Sequence, residues 1–222
     1  LYGFKGEIYP VNPRAEEILG LKCYPDIKAV PDPVELAVIV LPAGMILQVM
    51  KDCAERGIKA VTVISGGFKE LGPEGEDLEK QVLQVVKEND MRMVGPNCVG
   101  TMSLHTGLNT TFISGTPDIG GIGFLSQSGA VLGGVVDLVK DKGIGFAHFS
   151  SLGNEADVTE TDMIAFLGQD PNTSVITAYV EQIRDGQHFL QVAKSVSRRK
   201  PIVLLKAGRT SAGARAVSSH TG

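Results

Sequence analysis

Short apolar runs rich in β-branched residues alternate along the chain with longer stretches in which apolar residues recur every three or four positions. Most of the short runs are apolar throughout rather than at every second position, which is typical of strands covered on both faces. The runs predicted as strands are residues 7–11, 36–41, 59–64, 92–94, 121–125, 147–152, 175–180 and 201–206.

The longer stretches predict helices. In the first of them Ile46, Met50 and Cys53 lie on one face, and Gly57 is suited to end the helix. The predicted helices are residues 44–56, 74–88, 130–142, 160–167 and 186–199. Because strands and helices alternate, crossover connections are required, and the pattern predicts an α/β fold with parallel, doubly wound sheets.

One segment interrupts this alternation. Residues 97–118 are rich in Gly and Thr and carry no helical periodicity. We therefore expect a domain boundary near residues 114–120, between a nucleotide-binding-like domain at residues 1–115 and a flavodoxin-like domain at residues 116–222. The first domain lacks an initial strand and most of an initial helix, and the chain starts on Leu1, so we expect a piece of a longer chain.

Composition narrows the classes of function. The formal net charge of -4 gives no sequence-wide positive field, so nucleic acid and membrane surfaces are not expected partners. Cys23, Cys53 and Cys98 are odd in number and widely spaced, which argues against a disulfide framework or a CxxC metal site. There is no signal-peptide pattern and no apolar run near the roughly 18 residues of a membrane span. We expect a soluble protein in a reducing cytoplasm.

Candidate chemistry lies in the loops after the strands of the second domain, because the carboxyl ends of parallel strands share one edge of a sheet. Residues 126–130 read Ser-Gln-Ser-Gly-Ala and precede a helix. Such a turn exposes N–H groups at the positive end of a helix dipole and predicts an anion site. The alternative is a serine N-cap, with Gly129, Gly133 and Gly134 letting the helix pack tightly on the sheet. The sequence leaves both interpretations open.

Two more residues of that edge are suited to phosphoryl chemistry. Glu181 ends an apolar strand, where a carboxylate can hold one nitrogen of an imidazole, although it can also pair with Arg184. His220 lies beyond the last strand among serines and arginines, which suit phosphate, although a loop histidine is often inert. Packing or solvation accounts for His148 in a strand and His188 in a helix.

In the first domain, residues 40–44, 64–68 and 95–100 also follow strand ends. Loops of this kind can line a cleft for an adenine-containing cofactor, or they are tight turns with no further role. The glycine-rich phosphate loop expected after a first strand is not part of this sequence.

Several motifs stand together in the order and spacing of one known family. They are Val-Asn-Pro at 11–13, Val-Ile-Ser-Gly-Gly-Phe at 63–68, GPNCVG at 95–100, SQSGA at 126–130, Tyr-Val-Glu at 179–181, Lys-Ala-Gly at 206–208 and SSHTG at 218–222. The chain resembles the ADP-forming acyl-CoA synthetases, in particular the α subunit or α portion of ADP-forming acetyl-CoA synthetase, which is related to the succinyl-CoA synthetase α subunit. The resemblance covers essentially the whole chain.

This resemblance implies a Rossmann-like CoA-binding domain followed by a flavodoxin-like ligase domain. It also implies a reversible reaction in which acyl-CoA, ADP and phosphate give the acid, CoA and ATP through an acyl phosphate and a phosphohistidine. His220 matches the phosphorylated histidine, and Glu181 matches the glutamate that orients it. Ser128, Gly129 and Ala130 match the helix start that holds phosphate.

The resemblance also implies binding sites for CoA and for a partner. The matching positions on the CoA-contacting loops are Arg14, Pro42, Ser65, Gly66, Asn97 and Cys98, although the spacing after Asn12-Pro13 differs from the succinyl-CoA enzyme. No ATP-grasp segment is present, so ADP or ATP and Mg²⁺ are expected on a β subunit or domain, in an oligomer. Gly133 is small where the succinate enzyme has a bulkier side chain, which disfavours a succinate-shaped acyl site.

Two other functions fit parts of the sequence. A non-catalytic CoA-binding or regulatory module of an acyltransferase or a synthetase-like protein would bind CoA without forming a phosphoenzyme. A dinucleotide-dependent dehydrogenase would bind NAD but leaves SSHTG unexplained. The presence of both Glu181 and His220 favours the synthetase.

Overall fold

The structure is a computed structural model that describes residues 3–208. The strands in that range are β1 (Glu17–Ile18), β2 (Leu21–Lys22), β3 (Leu36–Ile39), β4 (Ala60–Val63), β5 (Arg92–Val94), β6 (Thr101–Ser103), β7 (Leu108–Asn109), β8 (Asp118–Ser126), β9 (Gly145–Ser151), β10 (Val175–Val180) and β11 (Ile202–Lys206). The helices are α1 (Ala43–Glu55), α2 (Pro73–Glu88), α3 (Gly129–Val139), α4 (Glu160–Gln169) and α5 (Gly186–Ser197), with 3₁₀ turns at Ile27–Ala29 and Lys69–Leu71.

The first sheet has the strand order β3-β4-β5, and its strands are all parallel. The helices α1 and α2 contact each other and share one apolar core with these strands. α2 begins with Pro73, whose missing N–H is tolerated in a first turn. The largest fully buried side chains of this core are Ile46, Met50, Ile58, Phe68 and Met93.

The second sheet has the order β11-β10-β8-β9-β6-β7. Neighbouring side chains of β8 point to opposite faces. Leu125 packs in a core with α4 and α5, whereas Phe124 packs in a core with α3, so helices cover both faces of the sheet. The strands from β8 to β11 pair in parallel, which places the loops after them at one edge.

The predicted helices are confirmed, each starting within one residue of its expected position. The strand predicted at residues 7–11 is wrong. Val11 forms only an isolated bridge to Tyr24, and Pro10 lacks the N–H that a continuing ladder needs. The hairpin of β1 and β2 was not predicted, because two residues per strand are too few to show a period.

The helix-free segment 97–118 is more structured than expected. It contains β6 and β7, and β6 pairs antiparallel to β9 while β7 pairs antiparallel to β6. The second sheet is therefore mixed, and the expectation of a purely parallel sheet is wrong there. A domain division between residues 115 and 116 stays a prediction, with β6 and β7 on its N-terminal side.

No helix in residues 3–208 combines the length and the apolar character that crossing a membrane requires.

Candidate functional site

The turn between β8 and α3 is a serine-capped helix start, as one of the two interpretations predicted. The Ser128 hydroxyl accepts a hydrogen bond from the Val131 N–H at 3.3 Å. The Ser126 hydroxyl donates to the Ser128 carbonyl at 2.7 Å and accepts from the Ser128 N–H at 3.1 Å. Both serines are buried. Their hydroxyls therefore fix the shape of the turn.

The serine cap does not exclude an anion site at this turn. Within residues 3–208 the N–H groups of Gly129 and Ala130 donate to no side chain or loop carbonyl, and Ala130 is exposed. First-turn N–H groups have no acceptor inside their own helix, and the dipole adds positive potential beside them. These two N–H groups can receive an oxyanion.

The glycines of α3 differ in how closely they are packed. A Cβ atom at Gly129 would lie 2.4 Å from Val99 Cγ2, so the helix start rests against the GPNCVG loop. A Cβ at Gly133 would meet only Ile113 at 3.9 Å, and one at Gly134 would meet nothing within 4 Å. The expectation that Gly133 and Gly134 permit tight packing is wrong, because only Gly129 makes a close approach.

Glu181 lies beside this turn, because β10 pairs with β8 and Glu181 is the residue after β10. It is 6% exposed. Its carbonyl accepts from Lys206 Nζ at 2.6 Å, which joins it to the end of β11. The pKa of Tyr179 is raised by burial and, to a smaller extent, by the negative charge of Glu181. The Glu181 backbone is thus held at the sheet edge, with its carboxylate close to the Tyr179 phenol.

Gln127, the second residue of the SQSGA turn, was not predicted as a site residue. Gln127 is 6% exposed, and its side-chain oxygen accepts hydrogen bonds from the N–H groups of Glu181 and Gln182. A buried amide inside a turn of otherwise small residues is the signal that was available. Its partners are far away in sequence, so the pattern alone did not reveal them.

Asn154, in the loop after β9, was not predicted as a site residue, and it connects the two units. Its side-chain N–H₂ group donates to Glu70 at 2.7 Å and to Glu79 at 2.8 Å. Its carbonyl accepts from Lys69 and from Arg184, both at 2.7 Å. Arg184 follows Glu181 by three residues, so this junction connects the first unit to the sheet edge that carries Glu181 and the SQSGA turn.

A mixed-charge cleft of about 800 Å³ opens at this junction. Burial and the charge of Arg184 lower the pKa of Lys69. Burial acts to raise the pKa of Glu70, but hydrogen bonds from Asn154 and from backbone N–H groups outweigh it and lower that pKa. The charged residues that line the cleft are Lys69, Glu70, Glu76, Glu79, Lys80 and Arg184.

The strand-end loops of the first unit meet at one edge of its sheet. Ser65 accepts from the Leu41 N–H through its hydroxyl at 3.0 Å, which ties the loop after β4 to the loop that carries Pro42. The Ser65 carbonyl accepts from the Asn97 N–H at 2.8 Å. A Cβ at Gly66 would lie 3.1 Å from Asn97 Oδ1. Pro42, Ser65, Gly66 and Asn97 are therefore neighbours.

Cys98 lies at the same edge but points inward. Its side chain is 4% exposed, and Sγ donates to the Val63 carbonyl at 3.3 Å. Burial raises the pKa of the Cys98 thiol to about 12. This thiol shapes the loop and is not a nucleophile at neutral pH.

Two predicted residues stand apart from these clusters. Arg14 lies in an exposed turn, where its N–H donates to Asn12 Oδ1 at 2.9 Å. Within residues 3–208 no hydrogen bond links it to the loops after β3, β4 and β5. His220 lies outside the described residues. His148 is hydrogen-bonded to Asp170 at 3.1 Å, and its pKa is lowered by burial, which agrees with a packing role.

Comparison with known proteins assigns a family to each unit. Residues 2–103 match the model of the CoA binding domain, and residues 119–222 match that of the succinyl-CoA ligase like flavodoxin domain. The predicted α/β architecture, a CoA-binding domain followed by a flavodoxin-like domain, is confirmed.

Individual proteins match over nearly the full chain. Acetate–CoA ligase [ADP-forming] I of Archaeoglobus fulgidus is 44% identical over 100% of this chain and 32% of its own length. The α subunit of acetate–CoA ligase [ADP-forming] II of Pyrococcus furiosus is 43% identical over 98% of this chain and 47% of its own. The chain thus spans between a third and a half of these curated relatives.

A solved structure shows the same fold. It is the dinucleotide forming acetyl-coenzyme A synthetase 1 of Ca. Korarchaeum cryptofilum, in complex with phosphate and ADP. The TM-score is 0.95 with 44% identity, covering 100% of this chain and 48% of that one.

Proposed function

The chain belongs to the family of ADP-forming acyl-CoA synthetases, and on this premise we propose that it is the α part of such an enzyme. The proposed reaction is reversible: acyl-CoA, ADP and phosphate give the acid, CoA and ATP through an acyl phosphate and a phosphohistidine. Acetyl-CoA is the first substrate to test, because the relatives described above carry acetate or acetyl in their names. The observation that carries the proposal is the contact of Gly129 with Val99.

That contact sets a candidate phosphate site against a candidate CoA site. The N–H groups of Gly129 and Ala130 hold phosphate at the start of α3, where the helix dipole favours an anion. The GPNCVG loop, which carries Val99, brings the thioester end of acyl-CoA to the same place. Phosphoryl chemistry needs mainly positioning and charge stabilisation, and a fixed helix start supplies both.

The CoA site in this proposal is the edge after β3, β4 and β5. Pro42, Gly66 and Asn97 are exposed there and are the residues we expect to contact CoA. Ser65 and Cys98 are engaged inside the protein and are expected to hold the shape of the loops. Open α/β sheets bind ligands at this edge, which supports a cofactor site there.

Glu181 and His220 carry the phosphoryl transfer in this proposal. The Glu181 carboxylate accepts a hydrogen bond from one ring nitrogen of His220, which leaves the other nitrogen free to take the phosphoryl group from the acyl phosphate. The acid then leaves as a carboxylate. Glu181 is held beside residues 126–130, the turn proposed to bind phosphate and called the phosphate turn below. The role of His220 rests on the match of residues 218–222 to the family motif.

The nucleotide half of the reaction is proposed to lie elsewhere. Since the chain spans only about a third of the A. fulgidus relative, a β domain or subunit of ATP-grasp type is the expected partner. ADP or ATP and Mg²⁺ are expected to bind there. We also propose a cytoplasmic, oligomeric enzyme.

The test is phosphate labelling of the full enzyme that carries this chain. With radioactive phosphate and acetyl-CoA, the enzyme is expected to acquire a label that is acid-labile and base-stable. The change His220→Ala is expected to abolish the label, whereas His188→Ala, at an exposed helix position, is expected to retain it. CoA binding with no label on the wild type would instead indicate a non-catalytic CoA-binding module.

A further inference from the structure

The side chain of Gln127 continues the pairing of β8 and β10 beyond their ends. The last paired residues are Ser126 and Tyr179, and the Gln127 N–H then donates to the Tyr179 carbonyl at 3.1 Å. Beyond this bond, the Gln127 side chain makes the hydrogen bonds to the chain that follows β10. Its oxygen accepts from the Glu181 N–H at 2.6 Å and from the Gln182 N–H at 2.9 Å. The phosphate turn and the exit of β10 are thereby joined.

The orientation of this amide is fixed by its other end. The Gln127 Nε2 group donates to the Gln182 carbonyl and to Glu155 Oε2, both at 2.7 Å. A flipped amide would set its N–H₂ group against two backbone N–H groups and its oxygen against two oxygens. All the hydrogen-bonding positions of a buried amide are thus used in a single orientation.

Glu155 reaches Gln127 from the loop after β9 and is itself deeply buried. It is 4% exposed, and Glu160, at the start of α4, is 2% exposed. Within the described part of the chain, Glu155 Oε1 and Glu160 Oε2 have no hydrogen-bond partner. Burial, and then the charge of Glu160, raise the pKa of Glu155 to about 8 against the opposing charge of Arg184. Within residues 3–208, Lys69 is a further charged group close enough to interact with Glu155.

We propose that Gln127 is a positioning residue that holds the backbone of Glu181 and Gln182 against the phosphate turn, and that Glu155 orients its amide. The proposal rests on the function proposed above. Glutamine is suited to this place because it accepts two hydrogen bonds and donates two at a reach that asparagine lacks. Glutamate there would lose both donors and add a charge beside Glu155.

The experiment compares Gln127→Ala and Gln127→Glu with Gln84→Ala and Gln84→Glu in the full enzyme. Gln84 is exposed on α2, where its side chain donates to Glu88. The readouts are the rate of phosphoenzyme formation, the KM for acetyl-CoA and the melting temperature. Because small misplacements in a reactive site cost about 10²-fold in rate, both Gln127 variants are expected to lose that factor while the KM for acetyl-CoA changes less than about threefold. The Gln84 variants are expected to match the wild type.

The labelling of the wild type and the rates of the Gln127 variants distinguish a failure of the proposed function from a failure of the positioning role. If the wild-type enzyme never acquires phosphate, both the proposed function and this inference are overturned. A labelled wild type with Gln127 variants within about twofold of its rate overturns this inference alone, as does a parallel loss of acetyl-CoA binding.

If the Gln127 variants do not fold, Glu155→Gln and Glu155→Leu decide the matter. Glutamine keeps an acceptor for Gln127 and is expected to retain more of the rate than leucine. Equal rates in these two variants would overturn the proposal.

Discussion

Gly129 lies so close to the GPNCVG loop that a Cβ atom in its place would stand 2.4 Å from Val99 Cγ2. This contact fixes the distance between the start of α3 and the loops of the CoA-binding unit. The proposed phosphate site at the start of α3 and the proposed acyl-CoA site at the GPNCVG loop therefore meet at Gly129 and Val99.

The change Gly129→Ala tests that contact. The added methyl group must displace Val99, so we expect a loss of about 1–3 kcal/mol in the free energy of unfolding and a higher KM for phosphate. Gly134→Ala, in open space on the same helix, is the control and is expected to stabilise by about 0.5–1 kcal/mol. Denaturant unfolding and steady-state kinetics measure both effects. An unchanged KM for phosphate in Gly129→Ala would separate this contact from catalysis.

The junction at Asn154 makes a second prediction. Asn154→Ala leaves Glu79, which is 8% exposed, without one of its hydrogen-bond donors. Leaving a buried acceptor unpaired costs about 1–3 kcal/mol, and we expect that loss in the free energy of unfolding. Asn172→Ala, at an exposed loop position, should change it by less than about 0.5 kcal/mol. Equal effects in the two variants would contradict the role of Asn154.

The buried carboxyl of Glu155 predicts a pH dependence of stability. Its pKa is about 8 in the folded protein and 4.5 as an ordinary value. The folded state keeps a proton that the unfolded state releases, so this stabilisation is complete below pH 4.5 and is lost as the pH rises through 8. The slope from this group approaches 1.4 kcal/mol per pH unit, roughly, between those values.

Urea unfolding between pH 5 and pH 8 measures this effect. Glu155→Gln is expected to flatten the decline, whereas Glu74→Gln, at an exposed position, is expected to leave it unchanged. A wild type and a Glu155→Gln variant with parallel pH profiles would show that Glu155 is ionised in the folded protein.

The cysteines predict a simple chemical result. Burial raises the pKa of Cys53 to about 11 and that of Cys98 to about 12. Since the thiolate is the reactive form, both are expected to resist a thiol reagent at pH 8 until the protein is unfolded. Rapid modification of Cys98 in the native protein, located by peptide mapping, would argue against the burial of this thiol.

Much of the fold was predictable because its signals are local. The face of α2 repeats with the helical period over sixteen residues, and its start is marked by Pro73 and nearby acids. By contrast, β6 and β7 have three and two residues, too few for a period, and their pairing with β9 depends on contacts far along the chain.

The site was predictable only in part, for a similar reason. Ser128 follows from its place before a helix, and the edge position of Glu181 follows from the end of its strand. The hydrogen bonds of Gln127 connect residues 28 and more than 50 positions away. The inward direction of Cys98 likewise depends on the Val63 carbonyl of another strand. No short pattern encodes such partners.

The central claim is most directly tested by locating the phosphoryl group. The full enzyme is incubated with acetyl-CoA and phosphate, digested at alkaline pH and sequenced by tandem mass spectrometry. A phosphoryl group on His220 that needs both substrates, and that forms far more slowly in Glu181→Gln, is the predicted result. A phosphoryl group on another residue, or none at all, would contradict the account.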